Sequence, residues 1–127
     1  TFHFISPVEL QIPKEYKLYL DKLGLKYFEY RDFTEVANEV DIIYMTRIQR
    51  ERFSDPMEYE KTKNSYVLKN KMLENTKPNM KVLHPLPRVN EIHTDVDDNE
   101  KAYYFTQALN GVFTRQAIIT YILGLKK

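Results

Sequence analysis

Two X-Pro steps in succession, in the run His84-Pro85-Leu86-Pro87-Arg88, constrain this chain more than any other feature. Proline lacks a donor N–H and pushes the residue before it out of the α region, so no helix passes through. The preceding Met80-Lys81-Val82-Leu83 reads as a short buried strand. The chain therefore leaves a strand and enters a stiff loop whose carbonyls are not consumed by a helix, with the Arg88 guanidinium at its end. Such a loop suits a rigid structural turn. It equally suits a cradle that presents carbonyl acceptors and one fixed positive charge to a small polar ligand. Because the strand must end and the chain must turn back at once, the Leu86–Pro87 bond is predicted to be cis. Two trans prolines would instead run on as an extended, polyproline-like segment.

A second stretch has the same design. Asp41-Ile42-Ile43-Tyr44-Met45 reads as a buried strand and runs into Thr46-Arg47-Ile48-Gln49-Arg50-Glu51-Arg52. In open α/β sheets ligands bind beyond the carboxyl ends of the strands. In a parallel sheet both polar clusters would lie on that one edge. Arg47 and Gln49, two apart in an extended segment, point the same way. A planar guanidinium beside an amide suits a carboxylate or another planar oxygen-bearing group. The alternative is a solvated helix start carrying an i,i+4 pair such as Arg47 with Glu51.

The remaining elements alternate. Strands are predicted at residues 2–5, 26–30, 41–45 and 81–83. A helix is predicted at 13–23, with Pro13 at its first position, an apolar side of Leu18, Leu20 and Leu23, and Gly24 as its stop. Thr34 is expected to cap a short helix to Val40, with Glu35 and Glu39 on its solvated face. Further helices are expected at 58–63, entered through Asp55-Pro56, and at 69–75, 102–109 and 111–125. The last carries Val112, Ile118, Ile119, Ile122 and Leu123 as an apolar face. Strands alternating with helices predict an α/β fold of Rossmann-like type, a doubly wound parallel sheet in three α/β/α layers, as one domain over 1–127.

Composition narrows the function. A net charge of +1 gives no reason to invoke nucleic acid or a membrane surface. No apolar stretch is long enough to span a bilayer, and with no cysteine there is neither a disulfide nor a thiolate metal site. His93 lies among Glu91, Asp95, Asp97 and Asp98 without any fixed ligand spacing, so no metal is expected there. His3, in an apolar run, reads as structural. His84 has no carboxylate or nucleophile partner that spacing can name and reads as an orienting residue. Most of the ten tyrosines read as packing with the hydroxyl in water.

Tyr-Met-Thr-Arg-Ile-Gln-Arg-Glu-Arg-Phe at 44–53, His-Pro-Leu-Pro-Arg-Val-Asn-Glu-Ile at 84–92 and Tyr-Phe-Thr-Gln-Ala-Leu-Asn-Gly-Val-Phe-Thr-Arg at 104–115 resemble the catalytic chain of the aspartate carbamoyltransferases. The resemblance runs in order from Phe2 to Leu123 and covers the carboxyl-terminal, aspartate-binding domain of that family. Pro85 resembles the aspartate branch; the ornithine enzymes carry His-Cys-Leu-Pro. The resemblance implies transfer of a carbamoyl group from carbamoyl phosphate to L-aspartate in pyrimidine synthesis, in the cytoplasm, without cofactor or metal. It implies that Arg47 and Gln49 bind aspartate, with Glu51 holding Arg47. It implies that the carbonyls of Pro85 and Leu86 accept from the carbamoyl amino group. Arg52, Arg88 and Glu91 would bridge domains and hold loops, and Glu58, in a mobile segment at 54–63, would change partners as the domains close. It further implies an amino-terminal carbamoyl-phosphate domain, and a first strand and helix of the aspartate domain, that precede Thr1. The complete chain would be a homotrimer, with a regulatory chain as a further partner. Asn90 departs from the family, where many members carry Asp; the amide removes a charge that would face the loop around Tyr59.

Three other readings stay open on sequence alone: an inert fragment, a binding or assembly module, and a sister carbamoyltransferase that uses another amine.

Overall fold

The computed structural model describes residues 1–49, 53–63 and 66–125. β1 (Phe2–Ile5) and β2 (Tyr27–Tyr30) form one parallel ladder in the register Phe2 with Tyr27 to Ile5 with Tyr30. β3 (Ile42–Tyr44) and β4 (Lys81–Leu83) form a second, also parallel, from Ile42 with Lys81 to Tyr44 with Leu83. Parallel neighbours need crossover connections. Here α1 (Lys14–Lys22) links β1 to β2, and α2 (Pro56–Thr62) lies between β3 and β4 in sequence. α3 (Tyr104–Ile122) closes the chain. This is the α/β class with parallel strands that the alternating pattern predicts.

The strands nevertheless pair as two separate ladders. Between them runs a cleft of about 1030 Å³, lined on one side by β1 and on the other by β3. The core belongs to the second ladder. Ile43, Leu68, Leu73, Met80, Val82, Ile92, Val96 and Tyr104 pack there as one buried cluster. β1, β2 and α1 contribute no fully buried side chain.

Local sequence rules explain most boundaries. α1 and α3 end in the same way. Gly24 and Gly124 take φ of +64° and +67°, and the residues after them, Leu25 and Leu125, donate back to Leu20 and Thr120 at 3.0 Å. That is the Schellman arrangement, which needs a left-handed residue. Asp55 caps α2 by accepting from Met57 N–H at 2.8 Å, with Pro56 in the first helical position.

Several expectations are corrected. Pro13 is the residue before α1 rather than its first. Asp32, not Thr34, caps the next turn. Its carboxylate accepts from Thr34 N–H at 2.8 Å and Glu35 reaches back to Asp32 N–H at 3.0 Å, a capping box that leaves only a 3-10 turn, Phe33–Glu35. The helix expected at 69–75 is a 3-10 turn at Asn70–Leu73. The two helices expected after residue 102 are one, running through Gly111. Leu18 on α1 and Leu23 just past it, and Val112, Ile118, Ile119 and Ile122 on α3 with Leu123 just past it, are expected as packed apolar faces; all stand exposed, as do Phe113 and Tyr121 on α3.

Candidate functional site

β3 and β4 are neighbours with their carboxyl ends together, and Met45 N–H extends the ladder by donating to Leu83 O at 2.9 Å. The two polar stretches therefore leave the sheet side by side at its carboxyl edge. Residues 45–49 are non-helical, so the helix start that the charge spacing also allowed is not formed there. Arg47 is exposed and Gln49 half-buried in that segment. Glu51 and Arg52 lie outside the described residues. Glu58 is exposed in the first turn of α2, and among the described residues no hydrogen bond or ion pair joins its side chain to either loop.

The proline loop is tied down from within. The Leu86–Pro87 bond is cis, as predicted from sequence, and Leu86 takes φ +44°. Leu86 N–H donates to His84 Nδ1 at 2.8 Å. The other ring nitrogen, Nε2, lies 2.7 Å from Glu91 Oε1. The second oxygen of Glu91 accepts from Val89 N–H and Asn90 N–H, each at 3.1 Å. His84 and Glu91 are 2% and 3% exposed, so water does not compete for these groups. The sequence named no carboxylate partner for His84; the fold supplies Glu91. Burial pushes the Glu91 carboxyl up, but the backbone N–H groups of the turn and the His84 ring outweigh it and bring it below its ordinary value. Among the described residues no hydrogen bond engages the Pro85 or Leu86 carbonyl oxygen, which leaves both as acceptors.

Arg88 turns inward. Its guanidinium forks onto both oxygens of Asp97, donates to Tyr104 Oη at 3.3 Å and lies 5.6 Å from the centre of the Tyr104 ring. The Tyr104 hydroxyl also donates to Asp97. The Arg88 fork holds the Asp97 carboxyl below the usual carboxylate range, while Asp97 in turn raises Arg88. Burial, then the hydrogen bond and charge of Asp97, push the Tyr104 phenol up to about 12.

Four residues of this arrangement escaped the sequence. Gln107, in the first turn of α3, accepts from His84 N–H at 2.9 Å. Asp97 and Tyr104 complete the Arg88 cluster. Tyr66 hydrogen-bonds Thr46 at the end of β3 and feels the charge of Glu91. Its phenol is raised by burial first, with Glu91 adding to this and the Thr46 bond working against it. Each joins residues far apart in sequence, and no spacing signals that. Among the described residues no group of acidic or histidine side chains is arranged to hold a metal ion. His93 Nδ1 instead accepts from Asp95 N–H at 3.2 Å.

Parallel strands with two polar loops gathered at their carboxyl edge define a Rossmann-like α/β domain of the kind that takes small ligands at that edge. The sequence profile described as "Aspartate/ornithine carbamoyltransferase, Asp/Orn binding domain" matches residues 1–122, and the chain belongs to that family. It is similar to the aspartate carbamoyltransferase catalytic subunit of Bacteroides thetaiotaomicron, with 61% identity over 126 residues, which are 98% of this chain and 40% of that protein. It is similar in structure to the catalytic subunit of M. jannaschii aspartate transcarbamoylase, with a TM-score of 0.85 and 40% identity, covering 98% of this chain and 41% of that one. It is also similar to Trypanosoma cruzi aspartate transcarbamoylase in complex with carbamoyl phosphate, with a TM-score of 0.78 and 31% identity, covering 92% of this chain and 38% of the other. The chain thus spans about two fifths of the length of these relatives.

Proposed function

We propose that this chain is the aspartate-binding part of an aspartate carbamoyltransferase of de novo pyrimidine biosynthesis, working in the cytoplasm as a homotrimer of the complete chain. The observation that carries the reading is the adjacency of the 45–49 and 84–90 loops at one sheet edge. Arg47 and Gln49 would take the carboxylates of L-aspartate, and the Pro85 and Leu86 carbonyls would accept from the carbamoyl NH2 group. The aspartate nitrogen attacks the carbamoyl carbon, forming the new N–C bond as the bond from carbon to the phosphate oxygen breaks. The ammonium gives up two protons overall, one to the departing phosphate and one to solvent, and N-carbamoyl-L-aspartate remains. No protein nucleophile is needed. The rate comes from holding two charged reactants in line and from dipoles already oriented toward the developing charge. Glu51 and Arg52 would hold the aspartate loop, and Arg88 and Glu91 the proline loop, with Glu58 as the element that changes partner on closure. A regulatory chain would be a further partner.

The same reading makes this chain an incomplete domain. The amino-terminal carbamoyl-phosphate domain would come from residues outside it, together with a strand and helix that precede β1. Two features support a missing strand. Among the described residues β1 and β3 each pair along one edge only, and the cleft between them is lined by both. His3 Nδ1, on the wall of that cleft, is buried with no hydrogen-bond partner among the described residues. The exposed apolar end of α3 supports a covering domain in the same way.

The test is carbamoyl transfer by the full-length protein from labelled carbamoyl phosphate, with aspartate and ornithine as competing acceptors. Label in N-carbamoyl-aspartate is expected; label in citrulline, or in neither, would overturn the reading.

A further inference from the structure

We propose that His84 is a positioning residue, held as the neutral Nε2–H tautomer, which aims the Pro85 carbonyl through Nδ1, and that Gln107 of α3 fixes it from behind. The inference rests on the reading that Pro85 and Leu86 face the carbamoyl group. A backbone N–H donates to Nδ1 at 2.8 Å, so Nδ1 carries a lone pair. The single ring proton is then on Nε2, where Glu91 Oε1 accepts it at 2.7 Å. The other tautomer would set N–H against N–H at Leu86 and a lone pair against a carboxylate at Glu91. An imidazolium would repeat the first conflict. At 2% exposure, no solvent is at hand to relieve either.

The geometry of one peptide unit carries the rest. The Leu86 N–H and the Pro85 C=O belong to the same trans peptide plane and point in opposite directions. Tying the N–H to the imidazole therefore directs the Pro85 oxygen away from the ring. Leu86 also holds φ +44°, a left-handed conformation that a branched residue seldom takes without a local partner. Nδ1 is that partner. Gln107 anchors the backbone that carries the ring by accepting the main-chain N–H of His84 at 2.9 Å, and α3 itself is moored to β4 by Tyr103 N–H donating to Val82 O at 3.0 Å. The carbonyl is thus set by a relay from helix to histidine to turn.

Asparagine and glutamine separate the two ring nitrogens. The amide oxygen of Asn falls near Nδ1, whereas Gln reaches toward Nε2. In the full-length protein, His84→Asn keeps an acceptor for Leu86 and is expected to retain turnover within about tenfold of the parent. His84→Gln keeps the Glu91 contact, strands the Leu86 N–H and is expected to lose about 100-fold. The KM for aspartate should move less than turnover in both. A Gln variant as active as the Asn variant, or equal losses in both, would overturn the proposal. The two ring-nitrogen chemical shifts of His84 in the unsubstituted full-length protein decide the tautomer whether or not the variants fold. An unprotonated Nδ1 beside a protonated Nε2 is expected, and the reverse, or two protonated nitrogens, would overturn it. Failure of the unsubstituted protein to carbamoylate aspartate would overturn the functional reading alone, because the nitrogen shifts still decide the tautomer.

Discussion

Replacing Glu91 with Gln changes one oxygen to an NH2 group and removes a charge, while the side chain keeps its shape. Three donors converge on the native carboxylate: His84 Nε2–H on one oxygen, and the Val89 and Asn90 N–H groups on the other. A Gln amide cannot serve them all. With its carbonyl toward His84, the NH2 faces two backbone donors. With its carbonyl toward the turn, the NH2 faces the His84 proton. The better orientation still loses one bond to a charged acceptor, at a cost of about 1.5–3 kcal/mol, and weakens the rest. A loss near 2 kcal/mol corresponds to ~30-fold easier local opening of the turn. Native-state amide exchange in the full-length protein should show this at Leu86, Val89 and Asn90 while the β3–β4 amides stay unchanged. The native protein should reproduce the effect in acid. Because the Glu91 carboxyl is held below its ordinary 4.5, its contribution is complete at neutral pH and is lost as pH falls through the lowered folded value. Exchange at those three amides that is unchanged to within about twofold in Glu91→Gln would refute the argument that the carboxylate holds the loop.

Three other outcomes follow from the same contacts. Tyr104, raised to about 12, should be among the last of the ten tyrosines to ionise; the stability it lends is present below pH 10 and is lost as pH rises through 12, and Tyr104→Phe should remove that late step from a phenolate absorbance titration. Arg88→Lys exchanges a two-pronged contact with Asp97 for a point charge and should cost about 1–2 kcal/mol in denaturant unfolding of the full-length protein; equal stability would show that the fork is not needed. The 127-residue chain by itself should transfer no carbamoyl group in the labelled assay, and turnover by it would contradict the view that the phosphate is held by another domain.

What sequence could see and what it could not divide along physical lines. Strands with continuous apolar runs, and a loop fenced by two prolines, announce themselves locally, so β3, β4 and the edge they share were legible. The glycine stop at 24 was equally readable from the left-handed residue that a Schellman end needs, whereas the same stop at Gly124 was missed: the helix expected to reach 125 ends at Ile122. The break expected between 109 and 111 does not form: α3 runs through Gly111 without interruption, despite the ~1 kcal/mol that a helical glycine costs relative to alanine. Asp32 and Thr34 competed for one cap, and the carboxylate won because Glu35 could complete the box. The partners of His84 were illegible for a different reason. Glu91 is seven residues away across an aperiodic loop, and Gln107 arrives from another helix twenty-three residues on. Apolar residues on α1 and α3 were legible, but those expected as faces stand exposed, and periodicity cannot say which neighbour covers them.

The central claim is that the loop after β3 holds aspartate beside the proline loop, and Arg47→Ala in the full-length protein tests it most directly. Steady-state kinetics should show the aspartate KM rising and turnover falling. Together they should amount to a loss of about 10- to 150-fold in kcat/KM for aspartate, the range for one charged hydrogen-bonded contact, while carbamoyl phosphate binding changes far less. Unaltered aspartate kinetics in that variant would remove Arg47 from the site and contradict the account.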